Sequence, residues 1–223
     1  QYAENVYFGK PSGLMDQMAS SVGGLTYIDF KNDDPRIEEM SYDFAAKGFA
    51  LVVVNTGGSH DDLTEHYAAI PAEMRAVARC FGENCLRRVR PEQFMQNIPM
   101  IREKLGPGKA DRPILRAAHF YEENERVSDM VDALRADRVD EFLRGVTASG
   151  RSSAMYLQNI YATNQSEEVA LALMLADMKL RGKGAWRIHG GGFAGTTLNF
   201  VPQKDLDTDR KSTRLNSSHD QIS

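Results

Sequence analysis

The sequence predicts an α+β fold, because its strand-like and helical segments do not follow one another in strict alternation. Residues 49–54 form a continuous apolar run with three valines, which is typical of a buried strand. Residues 186–202 are strand-like on both sides of a glycine loop. Between these two segments, apolar residues recur at intervals of three and four positions, as they do on one face of a helix.

The first elements of this fold are a short helix and a strand. Apolar residues at four-residue intervals predict a helix over residues 13–22. Gly23 and Gly24 end it, because glycine accepts the left-handed conformation of a helix cap. Residues 25–30 are rich in aromatic and β-branched side chains, which favours a strand, and residues 31–36 are polar and predict a loop.

A series of helices is predicted after the apolar run. Apolar residues spaced by 3, 4, 3 and 4 predict a helix from Tyr67 to Phe81, in which Pro71 indicates a kink or a later start. Residues 82–113 contain four prolines, and short helical turns are expected on either side of Pro99. The remaining helical patterns cover residues 120–134, 139–146 and 167–180, with a break near Ala136 and Asp137 and with Ser166 as the cap of the last helix.

The composition is that of a globular protein and excludes several classes. The 223 residues are 42% hydrophobic and 26% charged, which rules out global disorder and a collagen-like chain and suits one large domain or two small ones. The net charge of −4 argues against a nucleic-acid partner or an anionic membrane surface. No apolar run approaches the roughly 20 residues of a membrane span. The two cysteines cannot form a disulfide scaffold, which favours a reducing compartment.

Both ends of the chain are unusual. The chain begins at Gln1 rather than at a methionine, and it has neither the basic start nor the apolar segment of a signal peptide, so we expect a fragment. Residues 209–223 are rich in serine, asparagine and charge and contain few large aliphatic residues, which predicts disorder.

The histidines and cysteines do not predict a metal site. No pair among the five histidines has the helical spacing of metal ligands, so a zinc site is not expected. His119 lies close in sequence to three glutamates and is interpreted as a surface histidine rather than a base. Cys80 and Cys85 are interpreted as one structural and one surface thiol.

Three features could carry chemistry, and each also has a purely structural interpretation. The loop of residues 190–195 could bring backbone amides close to an anionic ligand, or it could be a tight strand connection that needs positive φ. Asp16 could be a general base, or a solvated acid at the start of a helix. Glu4 could join Asp16 around a metal and a phosphate, or it could be a surface glutamate. From the residues alone, the structural interpretation is favoured for both acids.

Several motifs taken together resemble the galactokinases, which belong to the superfamily of galacto-, homoserine, mevalonate and phosphomevalonate kinases. The motifs stand in the family's order and are Ala-Glu-Asn at 3–5, Gly-Leu-Met-Asp-Gln at 13–17, Tyr-Ile-Asp at 27–29, Val-Asn-Thr at 54–56, Tyr67 and Gly-Gly-Gly-Phe-Ala-Gly-Thr at 190–196. The resemblance spans residues 3–202 and implies an incomplete two-lobed α+β kinase fold. Residues 1–45 would be a remnant of the amino-terminal lobe with the catalytic aspartate, and residues 46–208 most of the carboxyl-terminal lobe. Residues 209–223 would be a disordered and non-native tail.

The resemblance also assigns roles. It implies a kinase that transfers the γ-phosphate of ATP to the anomeric hydroxyl of D-galactose, with Asp16 as the base that takes the hydroxyl proton. Glu4 matches the family's magnesium ligand. Gly13 and Tyr67 match positions that contact the sugar, and residues 190–192 match the glycine motif that would bind the nucleotide. Such an enzyme would be a monomeric cytoplasmic protein of galactose metabolism that uses ATP and Mg²⁺, with no nucleic-acid or membrane partner.

The sequence also departs from the family. It lacks the Gly-Glu-His-x-Asp segment and the serine-rich phosphate loop, so we expect this chain alone to be inactive. Two alternatives stay open, namely a related sugar kinase such as an N-acetylgalactosamine kinase and a non-catalytic homologue that senses galactose. Retention of Glu4 and Asp16 argues against the second, because a sensor needs no base.

Overall fold

The chain divides into two compact units, Gln1–Asp43 and Phe44–Ser223. The computed structural model describes residues 2–7, 13–32, 34–57, 63–162 and 167–206, so the predicted cap Ser166 and the predicted tail lie outside the described residues. The division between the units falls two residues before the predicted one, and the assignment of the units to kinase lobes stays a prediction. Within the described ranges, no helix has the length and apolar character needed to cross a membrane.

The first unit contains two short helices and a hairpin. Its elements are α1 (Tyr2–Val6), α2 (Met15–Val22), β1 (Leu25–Asp29) and β2 (Arg36–Met40). The two strands pair antiparallel with Leu25 opposite Met40, and Gly23 ends α2 at a φ of 77° as predicted. The sequence does not predict β2, because three of its five residues are charged; pairing with β1 makes it a strand.

The second unit is built around a three-stranded antiparallel sheet. The strands are β3 (Phe49–Asn55), β4 (Ala185–Ile188) and β5 (Thr196–Pro202), in the order β3-β5-β4. The predicted strand at residues 49–54 is confirmed, but its predicted burial is wrong. The side chains of β3 alternate in exposure, and Leu51 and Val53 are 55% and 52% exposed. β3 lies at the edge of the described sheet and pairs only with β5 there. The apolar run does not show that the face of β3 with Leu51 and Val53 is left uncovered by other elements.

Six helices occupy the described part of the second unit. They are α3 (Thr64–Arg79), α4 (Pro91–Gln96), α5 (Ile98–Leu105), α6 (Asp111–Arg135), α7 (Val139–Ser152) and α8 (Glu168–Leu180). α3 begins before Pro71, so a late start is wrong; the ring is exposed and lies seven residues inside the helix. The predicted break between α6 and α7 is confirmed, since Asp137 adopts a φ of 58°.

α8 is apolar on two opposite sides. Val169, Leu173 and Leu180 are buried against β4 and β5 in a cluster with Trp186 and Ile188. The opposite side carries Leu171, Met174, Leu175 and Met178, which are 39–66% exposed and follow one another at intervals of three, one and three. We call these four residues the outer stripe of α8.

Two further clusters complete the core of the second unit. The larger one holds α3, α5 and α6 together through Val77, Ile101 and Ala117, which are fully buried. A smaller one consists of Leu63, Phe193 and Ala194, against which Tyr67 packs. This second cluster attaches the glycine loop to the start of α3, and so it positions the loop.

His119 is buried, contrary to the prediction from the sequence. It is only 8% exposed, and its Nδ1 lies 2.9 Å from Oγ of Ser152, so the prediction of a surface histidine is wrong. α6 turns this residue toward α7, and Glu122 and Glu123, which follow it in sequence, pair with Arg126. The prediction for the cysteines is confirmed, with Cys80 buried and Cys85 exposed.

Candidate functional site

The glycine loop connects β4 to β5 and depends on left-handed backbone conformations. Gly190, Gly192 and Gly195 have φ values of 72°, 89° and 96°, and Phe193 has a φ of 63°. The amide of His189 donates to the carbonyl of Thr196 at 3.0 Å, which closes the connection. The structural interpretation of the loop as a tight strand connection is therefore correct, and it does not exclude a binding role.

Two of the loop glycines also allow close contacts. A Cβ atom on Gly192 would lie 2.2 Å from the carbonyl oxygen of Asn159, and one on Gly191 would lie 2.8 Å from Cε1 of Tyr67. Real Cβ atoms do not approach other atoms so closely. Glycine is thus required at 192 both by its φ and by its neighbour.

Tyr67 holds the loop from the side of α3. Its hydroxyl donates to the carbonyl of Gly192 at 2.8 Å, and its ring meets that of Phe193 edge-on with 5.3 Å between centroids. Burial raises the pKa of Tyr67, so the phenol stays protonated and remains a donor at neutral pH. The hydroxyl oxygen can still accept a hydrogen bond from a ligand.

The backbone amides of residues 190–192 are the groups of the loop that could bind a ligand. The N–H groups of Gly190, Gly191 and Gly192 donate to no acceptor within the described part of the chain. Gly190 and Gly191 are exposed, so these two amides can reach a ligand. Successive amides in a loop with positive φ suit an anion such as a phosphate.

The first unit brings its two candidate acids to neighbouring positions. Asp16 lies exposed in the first turn of α2, and Nε2 of the next residue, Gln17, donates to Oε2 of Glu4 at 2.8 Å. Glu4 is thereby fixed beside the start of α2. Gly13 is exposed, and a Cβ there would meet nothing within 4 Å, so space does not require glycine at this position in the first unit.

No protein-family model matches the chain. Curated proteins do match it over nearly its whole length. The galactokinase of Actinobacillus pleuropneumoniae serotype 5b is 30% identical over 202 residues, which are 91% of this chain and 50% of that protein. The galactokinase of Glaesserella parasuis is 29% identical over 211 residues, which are 95% of this chain and 52% of that protein. The chain is a homologue of the galactokinases.

The fold agrees with this relationship. The crystal structure of Lactococcus lactis galactokinase complexed with galactose superposes with a TM-score of 0.77 at 22% identity, over 97% of this chain and 53% of that one. The match is to the carboxyl-terminal part of that protein. The predicted partial α+β galactokinase fold is therefore confirmed, and the chain spans about half the length of the galactokinases it matches.

The galactokinase motifs identified in the sequence come together in pairs. Tyr67 contacts Gly191 and Gly192 in the second unit, and Glu4 lies beside the start of α2 in the first. Gln17 is not predicted from the sequence as the partner of Glu4, although it lies in the motif Gly-Leu-Met-Asp-Gln. Asn159 is not predicted either, because its contact with the loop lies 32 residues away in sequence and has no local signal.

Proposed function

We propose that this chain is part of an ATP-dependent sugar kinase that transfers the γ-phosphate of ATP to the anomeric hydroxyl of D-galactose. The observation that carries the proposal is homology to galactokinases over 91–95% of the chain, together with the presence of Glu4, Asp16 and Tyr67 within motifs that resemble those of the family. Phosphoryl transfer asks little covalent chemistry of the protein, and needs alignment of the reactants and neutralisation of charge. We also propose that the protein acts as a monomer in the cytoplasm.

Asp16 is the proposed base. Its exposed carboxylate lies in the first turn of α2 and is open to a substrate, and a carboxylate can accept the proton of a hydroxyl group. In this role, the carboxylate orients the anomeric hydroxyl of the sugar and takes its proton as the oxygen bonds to the γ-phosphorus, while the bond from that phosphorus to the bridging oxygen of ATP breaks and ADP leaves.

Glu4 is the proposed ligand of Mg²⁺. Within the described ranges there is no group of three or more acids, histidines and cysteines that could hold a metal. A magnesium ion in a kinase is held by one or two carboxylates together with substrate phosphates and water, so a single glutamate fits this ion. Gln17 binds Oε2 and fixes the carboxylate. When bound, the metal neutralises phosphate charge.

Tyr67 and Gly13 are proposed to contact the sugar, and Gly190, Gly191 and Gly192 to lie against ATP. The support for the roles of Tyr67 and the loop is the hydrogen bond from the Tyr67 hydroxyl to the carbonyl of Gly192, beside the exposed residues Gly190 and Gly191. An ordered tyrosine hydroxyl discriminates between sugar epimers, because an epimer that leaves it unpaired binds more weakly.

The test uses the protein that contains this chain. ADP release is measured with ATP, Mg²⁺ and each of galactose, N-acetylgalactosamine and glucose. We expect turnover with galactose, and a loss of about 10³-fold in kcat for Asp16→Asn, the order of a general-base contribution. Asp34→Asn, at an exposed position of the same unit, is the matched control and should keep full activity.

Two results would contradict the proposal. Preference for N-acetylgalactosamine would assign a different sugar kinase, and galactose binding without ADP release would assign a sensor. The inactivity of the 223-residue chain by itself remains a prediction, checked with the same assay.

A further inference from the structure

Asn159 connects the segment that follows α7 to the glycine loop through two hydrogen bonds. It follows a π-helical turn at Ser153–Leu157 and the left-handed residue Gln158, whose φ is 57°. Its side chain is only 2% exposed. Nδ2 donates to the carbonyl of Gly191 at 3.0 Å, and its own carbonyl accepts the amide of Phe193.

The direction of the Asn159 side chain is determined by its partner. The carbonyl of Gly191 can only accept, so the amide nitrogen must face it and Oδ1 must face the other way. Oδ1 is buried and accepts no hydrogen bond from any residue that the structure describes. The bond to Gly191 is therefore the side-chain hydrogen bond that fixes the orientation of this amide within the described part of the chain.

Asn159 and Tyr67 together set the peptide planes of the loop. Asn159 holds the carbonyl of Gly191, and Tyr67 holds the carbonyl of Gly192. In a trans peptide the carbonyl and the following N–H point in opposite directions. Holding the carbonyl of Gly191 toward Asn159 therefore turns the amide of Gly192 away from it.

The segment that leads to Asn159 is tied to α3 through Arg116 of α6. The guanidinium of Arg116, which is 3% exposed, donates to the carbonyl of Leu157 at 3.0 Å and to Oε2 of Glu73 at 2.9 Å. Glu73 lies on the same helix as Tyr67. The segment before Asn159 is thus tied through Arg116 to the helix that carries Tyr67, so the two side chains that hold the loop are fixed relative to each other.

We propose that Asn159 is a positioning residue that holds the loop of residues 190–192 in the conformation in which the exposed amides of Gly190 and Gly191 face the substrate phosphates. The proposal rests on the proposed kinase function for the identity of the ligand. Its structural part, control of the loop conformation by one side chain, can be measured separately.

The experiment compares Asn159→Asp with Asn97→Asp in the full 223-residue chain. Both substitutions replace an amide that donates to a backbone carbonyl, since Nδ2 of Asn97 donates to Gln93 at 2.8 Å. A carboxylate cannot make either bond. We expect hydrogen exchange at Phe193 to accelerate at least about tenfold in Asn159→Asp, with exchange in β5 unchanged, and no change at the loop in Asn97→Asp.

A kinetic measurement on the protein that contains this chain gives the second readout. We expect kcat to fall by about 10- to 100-fold in Asn159→Asp while KM for the sugar changes less than about twofold, because misplaced loop donors act mainly in the transition state. A purely structural role would lower the amount of active protein and leave the exchange pattern of the loop unchanged.

The outcomes separate this proposal from the proposed function. Unchanged loop exchange in a folded Asn159→Asp variant overturns the positioning role, and so does acceleration spread evenly over the second unit. If Asn159→Asp does not fold, Asn159→Ser replaces it; failure of both, with Asn97→Asp folded, makes Asn159 structural and also overturns the proposal. Faster loop exchange in a protein without kinase activity would leave the loop assignment standing and remove the proposed function.

Discussion

The side-chain amide of Gln17 donates a hydrogen bond of 2.8 Å to Oε2 of Glu4, thirteen residues earlier in the chain. This bond links α1 to α2 and fixes a carboxylate beside the residue proposed as the base. Oε1 of Gln17 is buried and has no partner among the described residues, so the bond to Glu4 is the contact that determines how this side chain lies.

Replacement of Gln17 by methionine should weaken the binding of Mg²⁺ that is proposed for Glu4. Methionine keeps the length of the side chain but cannot donate to Glu4. We expect the Mg²⁺ concentration for half-maximal activity to rise by about tenfold, the lower end of what loss of a group orienting a metal ligand costs. Titration of activity with Mg²⁺ checks this; Gln96→Met, at an exposed glutamine, should leave the value unchanged.

Gly190→Ala and Gly192→Ala should differ in their effect on stability. Both residues have positive φ, which costs an alanine about 1 kcal/mol. Only Gly192 would also place its Cβ 2.2 Å from the carbonyl of Asn159, and relief of that overlap costs a further 1–3 kcal/mol, roughly as overpacking does. Urea unfolding of the two variants measures the difference. Equal losses would show that the loop moves away from Asn159 without cost.

Tyr121→Phe should flatten the alkaline pH dependence of stability. The hydroxyl of Tyr121 lies 3.1 Å from the carbonyls of Leu86 and Val89, and burial, with a smaller contribution from Cys85, raises its pKa to about 12. An unfolded tyrosine ionises near pH 10. The folded state therefore keeps the proton longer, and its advantage is complete below pH 10 and lost between pH 10 and about 12.

The measurement is the free energy of unfolding from pH 8 to 12. The wild type should lose stability across that upper interval more steeply than Tyr121→Phe, which should also be about 1 kcal/mol less stable at pH 7 because it lacks the hydroxyl's hydrogen bond. Tyr161→Phe, at an exposed tyrosine, is the control and should follow the wild type. Parallel curves for all three would refute the assignment.

His119→Gln should make the second unit less sensitive to acid. Burial lowers the pKa of His119, and Arg126 and Arg187 add to this while Glu123 opposes it. The folded state therefore binds the proton less readily than the unfolded state. The contribution to stability is present above pH 6.5, the ordinary pKa, and is lost as the pH falls from there toward the lower folded value.

Glutamine keeps a polar atom for Ser152 but does not titrate. We expect unfolding curves between pH 7 and 5 to show a smaller loss for His119→Gln than for the wild type, while His189→Gln, at an exposed histidine, follows the wild type. A steeper loss in His119→Gln would contradict the direction of the pKa shift.

The sequence predicts the helices and strands of this protein well where periodicity is strong, as in α6, α7 and β5. It does not predict that Leu51 and Val53 are exposed or that His119 is buried, because exposure depends on which elements cover a face and not on the residues of that face. Resemblance to a family indicates the motif residues. It does not indicate Asn159, because the contact of its side chain with Gly191 joins positions 32 residues apart in sequence.

The outer stripe of α8 has a practical consequence. It is an exposed apolar surface on a helix whose opposite side packs in the core, and it consists of Leu171, Met174, Leu175 and Met178. Purified chain should adsorb to phenyl chromatography resin and enhance the fluorescence of hydrophobic dyes while it is still folded. Charged residues at Leu171 and Met178 would then improve the yield of soluble material without touching the glycine loop.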